Sequence, residues 1–333
     1  MSVLREVKKA ILSLPSRDFF EKVVLTHYES EILGSDSFIP LTQEVKRDTS
    51  TIIGIDGGNA TIYLSPTIGV FVIRVASVSI TKREVYSWLV SVIQTDSQTF
   101  SITYQSIQGD LEHPDITQIK RSDVQQLRDD STILLVKISQ IIRKIAELSL
   151  AHKKSMDEDT IIILDGSLHA QLELEKTYLE KLQSNRVVGV SKTTSILTNT
   201  FRPVTTALLQ LQPSQTSWVI PHILTPVDIK KAVAYISFAK LHANAKNIFR
   251  IDTFTKSDIV SLLSNVMSVC DDSSFIGYPY PLIKADDAAR VTTQEVSYFQ
   301  QQFFSQFDEL TYAELKQRER SLSAHEILDS LKF

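Results

Sequence analysis

Two aspartates stand directly after runs of apolar, largely β-branched residues, and a glycine follows each of them. The segments read Ile52-Ile-Gly-Ile-Asp56-Gly-Gly and Ile161-Ile-Ile-Leu-Asp165-Gly-Ser. Such runs predict buried strands, and carboxylates at strand ends lie at the sheet edge, where α/β proteins collect their ligand sites. Two neighbouring carboxylates repel each other and favour a divalent cation between them. The pattern therefore indicates a metal site built on Asp56 and Asp165.

A simpler interpretation of both motifs is an ordinary turn. Asp-Gly after a strand is common in β-hairpins, because both residues accept the backbone angles that a tight turn requires. The glycines also suit a metal site, since they remove side chains that would keep a substrate backbone away. The residues alone leave the turn and the metal site open.

Composition predicts a folded protein of a reducing compartment. The chain has 333 residues, 43% of them hydrophobic, a net charge of −4 and a single cysteine. One cysteine excludes an internal disulfide framework and a cysteine-rich zinc site. No apolar run approaches the roughly 20 residues of a membrane span, and the first 14 residues are typical of an amphipathic helix rather than a signal peptide. We expect a cytoplasmic protein that does not enter a membrane.

Hydrophobic periodicity predicts an α/β fold with a mixed sheet. Strands at 51–56, 60–64, 67–80, 84–94 and 98–106 form a meander, in which Gly57-Gly58 is a turn. A helix over 124–152, a strand over 160–165, a helix over 169–183 and a strand over 186–190 follow. Residues 1–30 are predicted helical and 31–50 a loop. Later predictions are strands at 204–211, 216–220, 233–239 and 247–251, and helices at 256–270, 292–306 and 311–331.

Five separated segments resemble the NurA nuclease family, in the family's order. They are the two aspartate segments, Val187-Val-Gly-Val-Ser-Lys192, Phe249-Arg-Ile-Asp252 and Gly277-Tyr-Pro-Tyr-Pro-Leu-Ile283. The resemblance runs from about residue 50 to 295. It implies an RNase H-like mixed central sheet flanked by helices, in a nuclease domain over 51–295. A helical and loop extension over 1–50 precedes this domain, and C-terminal helices over 296–333, suited to dimerisation or partner docking, follow it.

The same resemblance implies an activity and partners. NurA proteins cleave DNA with Mn²⁺ or Mg²⁺, as 5′ to 3′ exonucleases and single-strand endonucleases. They form homodimers and act with HerA, a hexameric ATPase that translocates DNA, in end resection and double-strand break repair. We expect the same metal, DNA substrate and HerA-type partner here.

A third carboxylate is expected from the helix before the second aspartate strand, and Glu147 matches that position best. RNase H-like nucleases use at least three acidic groups around two metal ions. An alternative for Glu147 is an exposed ion pair with Arg143 or Lys144, four and three residues before it. Apolar residues on most sides of this helix favour a packed environment instead.

The family's fourth site position is a histidine after the Pro-Leu-Ile segment, but this chain has Asp286 there. Mg²⁺ and Mn²⁺ accept carboxylates, so Asp286 could serve as a ligand and the site could stay active. The substitution also removes a proton carrier of near-neutral pKa. A catalytically weakened or inactive subunit, which binds DNA or the ATPase, is therefore the alternative function.

Three further residues are candidates for DNA contacts. Tyr278 could stack on a base, or it could be a packing residue in an extended turn set by its prolines. Lys192 and Arg250 could contact phosphates, or they could be ordinary surface cations. An unrelated α/β enzyme or an actin-like ATPase remains a third possibility, although the sequence has no Walker A motif and no G-x-G-x-x-G after a strand.

Overall fold

The elements follow the hydrophobic pattern of the chain. The computed structural model describes residues 3, 5–6, 21–42, 51–124, 131–157, 159–170, 172–182, 186–227, 233–256 and 259–330. The strands are β1 (Glu21–Val24), β2 (Tyr28–Ser30), β3 (Ile32–Leu33), β4 (Ile39–Pro40), β5 (Thr51–Leu64), β6 (Ile68–Val78), β7 (Arg83–Gln94), β8 (Thr99–Gln108), β9 (Gln118–Lys120), β10 (Thr160–Asp165), β11 (Val187–Ser191), β12 (Leu197–Thr198), β13 (Trp218–Pro226), β14 (Tyr235–Lys240) and β15 (Phe249–Thr253). The helices beyond residue 130 are α1 (Ser131–Lys154), α2 (Glu173–Lys181), α3 (Val204–Leu211), α4 (Ile259–Met267), α5 (Tyr280–Ala289), α6 (Thr293–Phe304) and α7 (Glu309–Ser330).

The chain divides into two units, and each is assembled from separate stretches of sequence. Unit 1 comprises Met1–Thr49, Asp165–His169 and Gln183–Tyr280. Unit 2 comprises Ser50–Leu164, Ala170–Leu182 and Pro281–Phe333.

Unit 2 is built on a mixed sheet in the order β10-β5-β6-β7-β8-β9. Strands β5 to β9 form the predicted antiparallel meander, and β10 pairs with β5 in parallel. Nearly every residue of β6 is buried, because α1 packs on β5 and β6 while α5 and α6 cover residues of the same strands. A strand covered on both faces is apolar throughout instead of alternating, as the sequence of β6 is. The predicted mixed sheet with flanking helices is confirmed.

Helix α1 owes its position to one apolar stripe. Leu134, Ile138, Ile141, Ile145 and Leu148 recur every three to four residues, and all are buried. The predicted helix is confirmed from Ser131, whereas residues 125–130 lie outside the described part of the chain.

Unit 1 contains a second set of strands in the order β2-β13-β14-β15-β11, with β4 beside β13, and a small sheet β12-β1-β3. The pairs among β13, β14, β15 and β11 are antiparallel. The strands predicted at 216–220, 233–239 and 247–251 are confirmed as β13, β14 and β15.

Four predictions of secondary structure were wrong. Residues 204–211 form helix α3, since Val204, Ala207 and Leu208 bury one helical face. Residues 21–24 and 28–30 are strands where a helix was predicted, although residues 3, 5 and 6 are helical. The predicted loop over 31–50 contains β3, a 3-10 turn at Ser35–Ser37 and β4. Residues 43–50 lie outside the described part of the chain. Finally, β5 continues through Gly57-Gly58 without a turn.

Helix α5 is an element that the sequence analysis missed. One interpretation of the Gly-Tyr-Pro-Tyr-Pro segment was an extended turn, but the helix begins at Tyr280 and places Pro281 in its first turn. Proline is favoured there, because the amide hydrogen that it lacks would have no partner within the helix. None of the helices in the described part of the chain is long and apolar enough to cross a membrane.

Candidate metal centre

The two signature aspartates follow residues that face each other in a parallel pair of strands. Leu164 of β10 is the register partner of Ile55 of β5. Asp165 is the next residue after Leu164, and Asp56 is the next after Ile55. Asp165 ends its strand at Gly166, whose φ of 102° makes a turn. Asp56 lies within a continuing strand, so the hairpin-turn interpretation does not apply to it.

Glycines on one face of β5 let α5 lie against the strand. A Cβ at Gly54 would lie 2.4 Å from the Pro281 carbonyl carbon, and a Cβ at Gly58 would lie 2.3 Å from the Ala289 carbonyl oxygen. The two ends of α5 therefore touch β5 on either side of Asp56. Any residue larger than glycine at position 54 or 58 would clash with the helix backbone.

Asp56 belongs to the face of β5 that α5 covers. Residues two apart along a strand share a face, and the register from Gly54 to Ala60 runs without a bulge. The cross-strand partner of Asp56 is Ala76, which packs with Ala285 of α5. Asp56 is only 7% exposed, and its Oδ1 accepts a hydrogen bond of 2.7 Å from the Gly57 amide.

Glu147 reaches the same glycine from the other face of β5. A Cβ at Gly57 would lie 2.5 Å from Glu147 Oε1 and 3.0 Å from Arg143 Cγ, so the absent side chain makes room for this carboxylate. The Glu147 side chain is 2% exposed and is paired with Arg143 and, at 3.5 Å, with Lys144. The ion pairs considered for Glu147 exist, but their carboxylate is buried, as the apolar surroundings of this helix favoured.

Asp165 and Lys192 form an ion pair within unit 1. Lys192 Nζ lies 2.8 Å from Asp165 Oδ2 and 5.0 Å from the centre of the Tyr278 ring. Tyr278 itself is fully buried, with its ring stacked on Phe275 at a centroid distance of 5.1 Å. Tyr278 is thus a packing residue in this structure, which was the alternative to stacking on a base.

Asp252 fixes the turn that carries Asp165, a function that the sequence analysis did not assign. Its carboxylate is fully buried and accepts a hydrogen bond of 3.0 Å from the Leu168 amide. Arg250 also donates to it, through Nε at 2.7 Å and Nη2 at 2.8 Å. Burial, aided by the charge of Asp252, raises the pKa of Tyr28 to about 12. Arg250, predicted to contact phosphate, is thereby bound to Asp252. The Arg-x-Asp spacing on one strand face was the available signal for this pair.

Asp286 is more exposed than the other acidic candidates. Its side chain is 47% exposed, and Oδ2 lies 2.9 Å from Arg290 Nη2, which also lies 3.5 Å from Asp287. Helix α5 packs through the neighbouring alanines Ala285, Ala288 and Ala289. Asp286 therefore lies at the margin of this packed face and belongs to an exposed i,i+4 ion pair.

Arg74 holds the junction between α5 and α6. It is the strand partner of Gly58 and donates a hydrogen bond of 2.9 Å to the Arg290 carbonyl oxygen. It also forms an ion pair of 2.6 Å with Glu295. Glu295 also closes the capping box of α6 with Thr292. The hydrogen bond from Arg74, together with those from Thr292, outweighs burial and lowers the pKa of Glu295 to about 2. A strand residue thus fixes where α5 ends and α6 begins.

The acidic residues suit a hard divalent cation, but the described side chains are not arranged around one. Carboxylate oxygens are the donors that Mg²⁺ and Mn²⁺ prefer. Asp56 accepts a hydrogen bond from the Gly57 amide, and the Glu147 carboxylate uses the space that the missing Cβ of Gly57 leaves. Among the described residues, no group of three or more His, Cys, Asp or Glu side chains is gathered for metal binding. Basic side chains accompany Glu147 and Asp165 instead.

The fold and site define an α/β protein with a mixed sheet that carries buried carboxylates on its strands and on the helix packed against them. The family model of the NurA domain matches residues 50–291, well over half of the chain. The protein therefore belongs to the NurA family, as the sequence resemblance predicted. The sequence matches none of the curated proteins.

Solved NurA structures share the fold at low sequence identity. The NurA nuclease from Sulfolobus solfataricus is 13% identical with a TM-score of 0.51, over 92% of this chain and 93% of that one. A second NurA structure is 10% identical with a TM-score of 0.57, over 95% of this chain and 99% of that one. NurA bound to dAMP and manganese is 10% identical with a TM-score of 0.53, over 84% and 92%. The likeness extends over nearly the whole of each chain.

Proposed function

We propose that the protein is a metal-dependent DNA nuclease in which Asp56, Glu147 and Asp165 bind Mn²⁺ or Mg²⁺. The observation that carries the proposal is the parallel register of β5 and β10, in which each aspartate follows a residue of the pair Ile55 and Leu164. The burial of Glu147 beside Gly57 supports its inclusion. Membership of the NurA family and the manganese in related NurA structures support the choice of metal.

The chain's own residues would orient the reaction. A bound divalent cation would supply an activated water and stabilise the negative charge that develops on the phosphate. Asp56 and Glu147 are held beside one glycine from opposite faces of the strand, so their positions are set before DNA arrives. Asp252 holds the turn that presents Asp165, and Lys192 is the candidate donor to a DNA phosphate.

Substrate polarity and partners are proposed from the family. We propose 5′ to 3′ exonuclease and single-strand endonuclease activity, in end resection and double-strand break repair. The partners would be a HerA-type hexameric ATPase and a second copy of the chain, with residues 296–333 as the docking region. Tyr278 and Arg250 stay candidates for DNA contacts, although Tyr278 is buried and Arg250 is bound to Asp252.

The second candidate function is a weakened or inactive NurA subunit that binds DNA or the ATPase. Asp286 in place of the family's histidine favours it, because the substitution removes an imidazole, the side chain that carries protons near neutral pH. Its ion pair with Arg290 also draws the carboxylate toward its own helix. In the active enzyme Asp286 would instead serve as an additional oxygen ligand.

Cleavage of a labelled single strand with Mn²⁺ tests the proposal. The Asp165→Asn variant should keep its circular dichroism spectrum and lose activity roughly a thousandfold, as expected when several kcal/mol of charge stabilisation are removed. Asp287→Asn is the matched control, since Asp287 is exposed on α5 and outside the proposed metal set. Wild-type protein that leaves DNA intact with and without the ATPase, yet binds the hexamer, would favour the second function.

A further inference from the structure

Arg143 makes one contact beside the proposed ligand Glu147 that an ordinary helical ion pair does not make. Its Nη1 donates to Glu147 Oε1 and also, at 2.9 Å, to the Gly57 carbonyl oxygen on β5. The guanidinium thus connects the helix carboxylate to the strand backbone next to Asp56. Its side chain is 28% exposed, whereas that of Glu147 is 2% exposed, so Arg143 lies on the solvent side of the carboxylate.

A buried carboxylate without a countercharge is strongly destabilising, so some cation has to accompany Glu147. Lys144 lies 3.5 Å from Oε2, which leaves Oε1 to Arg143. A divalent cation bound to Oε1 would approach the guanidinium closely, and the repulsion between the two positive charges would favour one of them over the other at that oxygen. Metal binding and the Arg143 pair therefore compete for the same atom.

We propose that Arg143 is a built-in countercation, which holds Glu147 in place without metal and must release Oε1 when a divalent cation binds. The inference rests on the proposed metal site and adds a regulation of its affinity. Unit 1 shows the same pattern independently, since Lys192 lies against Asp165, another proposed ligand. Arg143 is thus a positioning residue that sets the metal concentration at which the protein becomes loaded.

The sign of one measurement separates this function from a structural one. An arginine that only supports the fold would, when removed, leave Glu147 disordered and weaken metal binding. A competing arginine would, when removed, strengthen it. Arg143→Met keeps most of the side-chain volume and removes the charge, while Arg143→Lys keeps the charge and lacks the guanidinium fork.

The experiment is a calorimetric titration of the full chain with MnCl₂ in the absence of DNA. We expect Arg143→Met to bind Mn²⁺ about tenfold more tightly than wild type and to melt at a lower temperature when metal-free. Arg143→Lys should lie between the two in affinity. Lys137→Met is the matched control, because Lys137 is exposed on the same helix and has no ion pair within the part of the chain that the structure describes. Its affinity should equal that of wild type.

Wild-type protein that binds Mn²⁺ while Arg143→Met binds equally or less tightly would overturn the inference and leave the proposed nuclease site standing. If Arg143→Met does not fold, a wild-type affinity in Arg143→Lys would overturn it in the same way. Absence of Mn²⁺ binding in wild type and in both variants would refute the metal site and the inference together. Binding in Arg143→Met alone would support the competition directly.

Discussion

Gly57→Ala is the sharpest structural test of the candidate centre, because the added methyl group meets only side-chain atoms. It would lie 2.5 Å from Glu147 Oε1 and 3.0 Å from Arg143 Cγ. Ordinary contact between carbon and another heavy atom begins near about 3.5 Å, so the carboxylate must withdraw by about 1 Å. The neighbouring Asp56 keeps its backbone position, since alanine is compatible with an extended strand.

The displacement should affect activity far more than stability. A carboxylate at the end of a flexible side chain can turn aside at a cost of about 0.5–1.5 kcal/mol in rotamer strain. The same displacement of about 1 Å within a metal-ligand set should lower kcat on the order of a hundredfold. The expected variant is therefore a folded protein with a defective metal site.

The assay compares urea unfolding with Mn²⁺-dependent cleavage of a labelled single strand in three variants. Gly34→Ala is the control, because a Cβ at Gly34 would meet nothing within 4 Å, and it should resemble wild type in both measurements. Gly54→Ala would meet the backbone of Pro281, which cannot turn aside, so its loss should appear mainly in stability. Gly57→Ala with wild-type cleavage would refute the assignment of Glu147 to the site.

Three further predictions concern single side chains. Asp286→His should raise Mn²⁺-dependent cleavage roughly tenfold or more and add a pH limb near about 6.5 to the rate profile, since a proton carrier is restored. Glu295→Gln should lose about 1 kcal/mol of unfolding free energy at pH 7, a value reduced for its 36% exposed side chain. Because pairing with Arg74 holds the pKa of Glu295 near 2, that stability is present above about pH 4.5 and disappears as the pH falls toward 2. Asp252→Asn should cost about 3 kcal/mol or more in urea unfolding, because Arg250 is left as a buried charge without its carboxylate.

Each of these has a clear contrary result. Unchanged cleavage and an unchanged pH profile in Asp286→His would mean that this position does not limit the chemistry. A stability difference between wild type and Glu295→Gln that persists at pH 2 would show that the carboxylate charge is not its source. Asp252→Asn with wild-type stability would contradict the description of a buried ion pair.

The sequence predicted secondary structure best where an element buries one face or all of its residues. The β-branched runs around Asp56 and Asp165 and the apolar stripe of α1 each have a period that fits one structure, and they were predicted correctly. Residues 204–211 were not, because a short apolar run fits a buried strand and a short helix equally, and only packing decides.

The details of the site depended on contacts between distant segments. Gly57-Gly58 has the composition of a turn, but α5 and α1 press on opposite faces of β5 and use the glycines as contact points. The sequence around these glycines does not indicate the contacts, since Pro281 and Glu147 are remote in sequence. The pairing of Arg250 with Asp252 and the burial of Tyr278 likewise depend on which strands become neighbours.

The interleaving of the two units has a consequence for how the chain reaches its native state. Lys22 donates its amide to Asn199, 177 residues away, and Glu29 pairs with Thr225. Contacts of such long range close late and slow folding, since the loop entropy is lost before they stabilise anything. A ribosome must release residues beyond 225 before β2 can pair with β13. No single cut separates the two units, so neither can be produced alone by simple truncation.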